Sequence, residues 1–202
     1  MTLYFDTETT GMFPGRIIQL SYIMDYGENI KCKNFYFAVG YIEPRAEQVH
    51  GISVEKLKTL SGGKTFDFYA DEIYEDFISA KTVVAHNFKF DLNFMIAEFR
   101  NLDRIFRYND SFDTMRYFTD VIKLERSSYR GYKYPKLAEL KNFAQVYDYD
   151  VTKFVYENFD GAIGGFHDAR FDTAAMYLSC AALKDECPDL KEKLFAKTPL
   201  TD

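Results

Sequence analysis

Apolar residues in this chain change their period once, and that change restricts the fold severely. Through the first third, the apolar runs are short and rich in branched and aromatic residues: 3–6, 16–26 (RIIQLSYIMDY) and 34–39 (NFYFAV). Such runs read as strands. Gly11, Pro14-Gly15 and Gly27-Glu28-Asn29 lie between them and favour turns. Strands so closely spaced are expected to form an antiparallel meander. From Ser53 the spacing becomes helical. Helices are expected at 53–60 with Ser53 as N-cap, then at about 67–80, 92–102, 114–124, 136–146 and 168–183. A buried strand at 82–85 and a weaker one ending near Phe112-Asp113 fall among them.

Strands first, then strands alternating with helices, imply a mixed sheet covered by helices, an α/β fold. With 202 residues the chain can bury a sizeable core as one domain. That domain is expected over 1–183, with 184–202, which contains Pro188 and Pro199, as a C-terminal tail. An apolar fraction of 47%, with 20 Phe and 16 Tyr, excludes a disordered chain. No basic segment followed by an apolar run opens the sequence, so a signal peptide is not expected. The longest nearly apolar stretch, 174–183, is about half a membrane span. Cys32, Cys180 and Cys187 form no CxxC or Cys/His metal spacing. They read as free thiols, and the chain as a cytoplasmic protein with no membrane association.

The chemistry lies in the acids. Asp6 and Glu8 end the first strand, and side chains two apart on a strand share a face at roughly 7 Å. They are either a solvated acidic strand end or carboxylates that repel unless a cation lies between them. Small polar residues and glycine follow, in Thr9-Thr10-Gly11, and expose backbone N–H groups that could meet a nucleotide. Asp91 follows the strand at 82–85 near a helix start, where an Asp also serves as a cap or dipole partner. His167 and Asp172 are five residues apart. Five residues turn a helix by about 500°, leaving their side chains roughly 140° apart. His167 must then sit in the glycine-led turn before the helix, leaning over the face that carries Asp172.

Taken in order, FDTETTG, AHNFKFD and H-x4-D (from His167 to Asp172) resemble the DEDDh 3′–5′ exonucleases, the DnaQ-like group. That group includes polymerase proofreading subunits and oligoribonucleases. Val49-His50-Gly51-Ile52, Asp113-Thr114 and 137–140 are also similar to it, so the resemblance runs from about residue 2 to 180. Phe88 stands where the family often has a smaller residue, and Met12 where it often has leucine.

The resemblance implies a ribonuclease H-like sheet, three antiparallel N-terminal strands plus parallel ones. It also implies that Asp6, Glu8, Asp91 and Asp172 bind two Mg²⁺ or Mn²⁺ ions and that His167 is the general base. Oxygen-only ligands favour such hard cations, and histidine as a residue type titrates near neutrality. Expected products are nucleoside 5′-monophosphates released from the 3′ end of single-stranded DNA or RNA. Substrate contacts are expected from Thr9, Gly11, Met12, His50 and Asn87. His86 reads as a packed, hydrogen-bonded core residue. The stretch 126–136, with Arg130 and Lys133 among its cations and tyrosines, is either a strand-binding loop or an exposed loop charged for solubility. A net charge of −6 argues against tight phosphate binding, although cations held by four acids would leave the remainder near −2. The alternatives are a proofreading subunit working with a DNA polymerase, or a non-catalytic nucleic-acid-binding module.

Overall fold

Strands β1 (Thr2–Thr9), β2 (Ile17–Asp25) and β3 (Ile30–Tyr36) form the expected antiparallel meander. Two parallel strands, β4 (Thr82–Ala85) and β5 (Ser111–Asp113), extend it beyond β1, giving the order β3-β2-β1-β4-β5. These coordinates are a computed structural model that describes residues 1–126, 130–160 and 167–195.

Side chains alternate across β1, and this alternation assigns every later element to a face. Leu3 and Phe5 point to one face, where α3 (Phe66–Ser79) and α4 (Phe88–Arg100) cover them with Phe77, Phe94 and Phe99. Tyr4 points to the other, beneath α5 (Thr114–Ile122), α6 (Leu137–Phe143), α7 (Asp148–Asn158) and α8 (Ala169–Leu183). Asp6 and Glu8 continue the Tyr4 face, whereas Thr7 faces α4. Every residue of β2 is buried, as expected of a strand covered on both sides. A smaller cluster of Ile18, Ile42, Ile52 and Leu57 seats α1 (Pro44–His50) and α2 (Val54–Ser61), whose N-cap Ser53 accepts the Lys56 N–H.

Four elements differ from the sequence expectation, beginning with α1, a seven-residue helix that buries no residue and carries no apolar period. Residues 188–195, assigned there to a tail, form helix α9 (Pro188–Phe195), with Leu190 and Leu194 buried in the α8-side core. Pro188 begins that helix; its missing N–H costs nothing in the first turn. Residues 196–202 lie outside the described residues. Helix α7 buries only Val151 and Val155, and its β-branched and aromatic residues give it little intrinsic helix propensity. Packing on α8 holds it. The third strand lies at 30–36 rather than 34–39; its charged Lys31 and Lys33 suit a sheet edge. The three cysteines are free thiols. Among the described residues, no helix is long and apolar enough to cross a membrane.

Candidate active site

At the end of β1, Asp6 is half-buried and Glu8 buried. The pairing with β2 shifts register between Glu8 and Thr9, an irregularity that re-aims side chains at strand ends. From the opposite face, α4 brings Asp91, 2% exposed, over the sheet edge. Its Oδ1 accepts hydrogen bonds from the Thr7 backbone N–H at 3.1 Å and the Thr7 hydroxyl at 2.7 Å. Asp91 is therefore tied to the strand between Asp6 and Glu8 instead of capping its own helix. Helix α8 is buried almost all round, yet it places Asp172 in its first turn, facing Glu8.

His167 lies just before α8 with a left-handed φ of 66°, and its backbone N–H donates to Asp172 Oδ2 at 3.2 Å. One ligand atom each from Glu8, His167 and Asp172 lies within 4.8 Å of the others. The glycines expected to lead into His167, Gly164 and Gly165, lie outside the described residues.

This cluster is electrostatically costly without counter-charge. Burial raises the Asp6 pKa well above the carboxylate range, and Asp91, Asp172, Glu8 and Asp168 add to the rise. Glu8 is raised by burial and then by Asp172, Asp168 and Asp91. Burial pushes Asp91 and Asp172 up to about 7, against the hydrogen bonds from Thr7 and from the His167 backbone respectively. No lysine or arginine among the described residues pairs with any of the four. Asp172 Oδ1 is buried and accepts no hydrogen bond. An orphaned carboxylate oxygen amid unpaired acids fits a divalent cation held by oxygen ligands.

Other expected residues line the same edge. His50 ends α1; its Nδ1 accepts the Ile52 N–H at 3.1 Å, and its Nε2 is buried. Burial lowers its pKa, a hydrogen bond with the Thr9 backbone opposes this, and the charges of His167 and Lys56 lower it further. Thr9 Oγ1 donates to the Gly11 carbonyl at 2.8 Å. A Cβ on Gly11 would come within 2.2 Å of the Glu43 carboxyl carbon, so a larger residue there would push the end of that side chain aside. Met12 is 72% exposed beside it. Arg16 and the Ile17 N–H clamp this segment onto buried Glu98.

Asn87 is exposed in a left-handed turn before α4. His86 Nε2 lies 3.0 Å from the Pro135 carbonyl, so it carries the proton, and Nδ1 accepts from Thr114 Oγ1 at 3.0 Å. That bond holds Pro135 against His86, the neighbour of Asn87. Glu125 and Tyr132 form an isolated antiparallel bridge, and Ser127 to Tyr129 lie outside the described residues. Arg130 is exposed, whereas Lys133 forms an ion pair with Glu139.

Gln19, Glu98, Asp168 and Arg170 also make buried polar contacts near the site, and the sequence alone does not mark them. Gln19 is one of the polar residues, with Ser21, inside a mostly apolar run, and Arg170 sits two residues past Asp168; these are the available signals.

Comparisons with known proteins bear on the family and the fold. The family model described as RNase_T, exonuclease, matches residues 3–152, which includes Asp6, Glu8 and Asp91 but stops short of His167 and Asp172. The DNA polymerase III epsilon subunit of Rickettsia felis is 32% identical over 154 residues, 70% of this chain and 61% of that protein. The Escherichia coli K12 epsilon subunit is 31% identical over 139 residues, 64% of this chain and 54% of the relative. The chain thus spans about three fifths of the length of these relatives. E. coli exonuclease I, solved with a dT13 oligonucleotide, superposes with a TM-score of 0.71 at 20% identity, covering 96% of this chain and 43% of the other. S. pombe Pop2p, solved with Mg²⁺ and Mn²⁺ bound, gives 0.65 at 13% identity over 94% of this chain and 84% of its own. Both share the fold, which is the ribonuclease H-like one expected from the sequence.

Proposed function

The chain belongs to the exonuclease family whose model spans residues 3–152, and on that premise we propose that it is a metal-dependent 3′–5′ exonuclease on single-stranded nucleic acid. The observation that carries this reading is the approach of Glu8, His167 and Asp172 to within 4.8 Å, with Asp172 Oδ1 buried and unpartnered and with Asp91 and Asp6 adding charge to the same cluster. The four carboxylates would hold two Mg²⁺ or Mn²⁺ ions. When bound, such a pair activates a water and neutralises charge at an in-line phosphoryl displacement. His167, exposed and within reach of Glu8 and Asp172, would take that water's proton. Thr9, Gly11, Met12, His50 and Asn87 line the edge where a terminal nucleotide would rest.

Single-stranded DNA is the first substrate to test, given the dT13 complex of the exonuclease I neighbour. A proofreading subunit acting with a DNA polymerase is the second reading, favoured by the epsilon-subunit relatives. DNA and RNA oligomers labelled at either end, incubated with Mg²⁺, Mn²⁺ or EDTA, test the proposal. Metal-dependent shortening from the 3′ end to nucleoside monophosphates is expected. Strands bound but never cut with either metal would leave a binding module instead. Rapid turnover of free oligomers would argue against a need for a polymerase.

A further inference from the structure

His167 holds a left-handed backbone, which for a residue with a Cβ costs on the order of 1 kcal/mol and persists only where its surroundings fix it. Those surroundings are a buried polar clamp that the proposed chemistry does not use. Asp168, next in the chain, caps α8 by accepting the Arg170 N–H at 3.1 Å. The same carboxylate receives a two-pronged fork from the Arg170 guanidinium, Nε to Oδ1 at 2.9 Å and Nη2 to Oδ2 at 2.6 Å. Gln19 grips it from β2: Nε2 donates to Asp168 Oδ1 at 3.0 Å, and Oε1 accepts the Ala169 N–H at 3.3 Å. Asn34 Oδ1, 2.8 Å from Gln19 Nε2, fixes that amide in turn. Arg170 Nη1 donates to the Asp160 carbonyl at 2.9 Å, so one guanidinium joins residues on either side of 161–166. Gln19, Asp168 and Arg170 are 0%, 8% and 3% exposed.

A helix cap alone does not require this. Serine or asparagine caps as well, and burying an ion pair commonly gains nothing over apolar packing. What the pair adds is fixed geometry, because a bidentate fork sets direction as well as distance. Gln19 is also the β2 residue paired with Glu8, so the clamp connects the strand position opposite one carboxylate to the turn that delivers the histidine.

We infer that Gln19, Asp168 and Arg170 are positioning residues that hold His167 in its left-handed turn and so fix its ring relative to Glu8 and Asp172. The inference rests on His167 acting as the base. Two variants test it: Arg170→Lys keeps the charge but loses the fork, and Asp168→Asn keeps the cap but loses the ion pair. With Mn²⁺ and a single-stranded oligomer, kcat should fall about 10- to 100-fold, with KM changing less than about threefold.

The control is Asp76→Asn, which breaks a distant ion pair with Lys33; it should leave kcat unchanged. A merely structural role would make the variants and the control lose activity only in proportion to unfolded protein. NMR of the metal-free protein supplies a second readout. The chain has three histidines, and the His167 ring signal should shift or broaden in both variants while that of His86 stays. Unchanged kcat in folded variants, or an unmoved His167 signal, overturns the clamp. If Asp168→Asn does not fold, Arg170→Lys decides. A wild-type chain without nuclease activity would defeat the proposed function, while the NMR comparison would still decide the clamp.

Discussion

Asp172 is anchored by one oxygen and exposed to repulsion at the other. Oδ2 accepts the His167 N–H, and Oδ1 accepts nothing. Replacing it with asparagine keeps an acceptor for that N–H and removes one of four crowded charges. The metal-free Asp172→Asn protein should therefore melt at or above the wild-type temperature at pH 8, yet gain little on adding Mn²⁺ and hydrolyse nothing. Lower stability without metal would mean that the carboxylate serves the fold. His167→Ala should instead keep most of the Mn²⁺-induced stabilisation and lose about 10²- to 10⁴-fold in rate. If it loses the stabilisation too, the imidazole is a ligand and not a base. Tyr4 presents a simpler case, a buried hydroxyl with no hydrogen-bond partner. Since an unsatisfied buried donor costs about 1–3 kcal/mol, Tyr4→Phe should be neutral or stabilising by about 1 kcal/mol in urea denaturation; a clear loss would reveal a role for the hydroxyl. At this scale the sequence was partly legible. The two-residue period alone puts Asp6 and Glu8 on one face. Asp91 and Asp172 have common structural roles in sequence, and only the family pattern singled them out. Gln19 was hidden inside β2, because nothing in that run says which polar residue meets a partner about 150 residues away.

Among the elements, legibility followed self-sufficiency. The strand at 82–85 and the helices carrying broad apolar faces were recognisable because their own residues demand burial. Helices α1, α7 and α9 were not, since α1 buries no residue and the other two bury two apolar residues each and depend on the neighbouring core for the rest. The reading of 184–202 as a tail relied on its prolines, and Pro188 in fact opens a helix. Thr2 Oγ1 donates to the Leu194 carbonyl at 2.9 Å, joining the start of β1 to α9. Leu194, 4% exposed, should therefore behave as a core residue. Leu194→Ala is expected to cost about 2–4 kcal/mol of unfolding free energy. A change below about 0.5 kcal/mol, the usual range for exposed positions, would show that α9 contributes nothing to the domain.

For the whole molecule, the sheet order brings together acids that the chain keeps apart. β1 lies between β2 and β4, so the ends of β1 and β4 adjoin, and α4 and α8 reach that edge from opposite faces. The meander was readable from its short turns. The parallel join of β4 to β1 across more than seventy residues was not, and it came from the family pattern instead. This arrangement links stability to pH and metal together. In the metal-free fold Asp91 and Asp172 titrate at about 7, against 3.8 for an ordinary aspartate, and Asp6 and Glu8 are also raised. Between those values the folded chain binds more protons than the unfolded one. The stability these groups contribute is therefore complete below about pH 4 and is lost as pH rises through 7. A divalent cation needs the deprotonated carboxylates and stabilises only the folded state, so its effect should grow over the same interval. Thermal melts of the wild-type chain should show a larger Tm increase with Mn²⁺ at pH 8 than at pH 5.5, and a much smaller difference in Asp172→Asn. An equal increase at both pH values in the wild type would mean that the metal binds elsewhere than among these four acids.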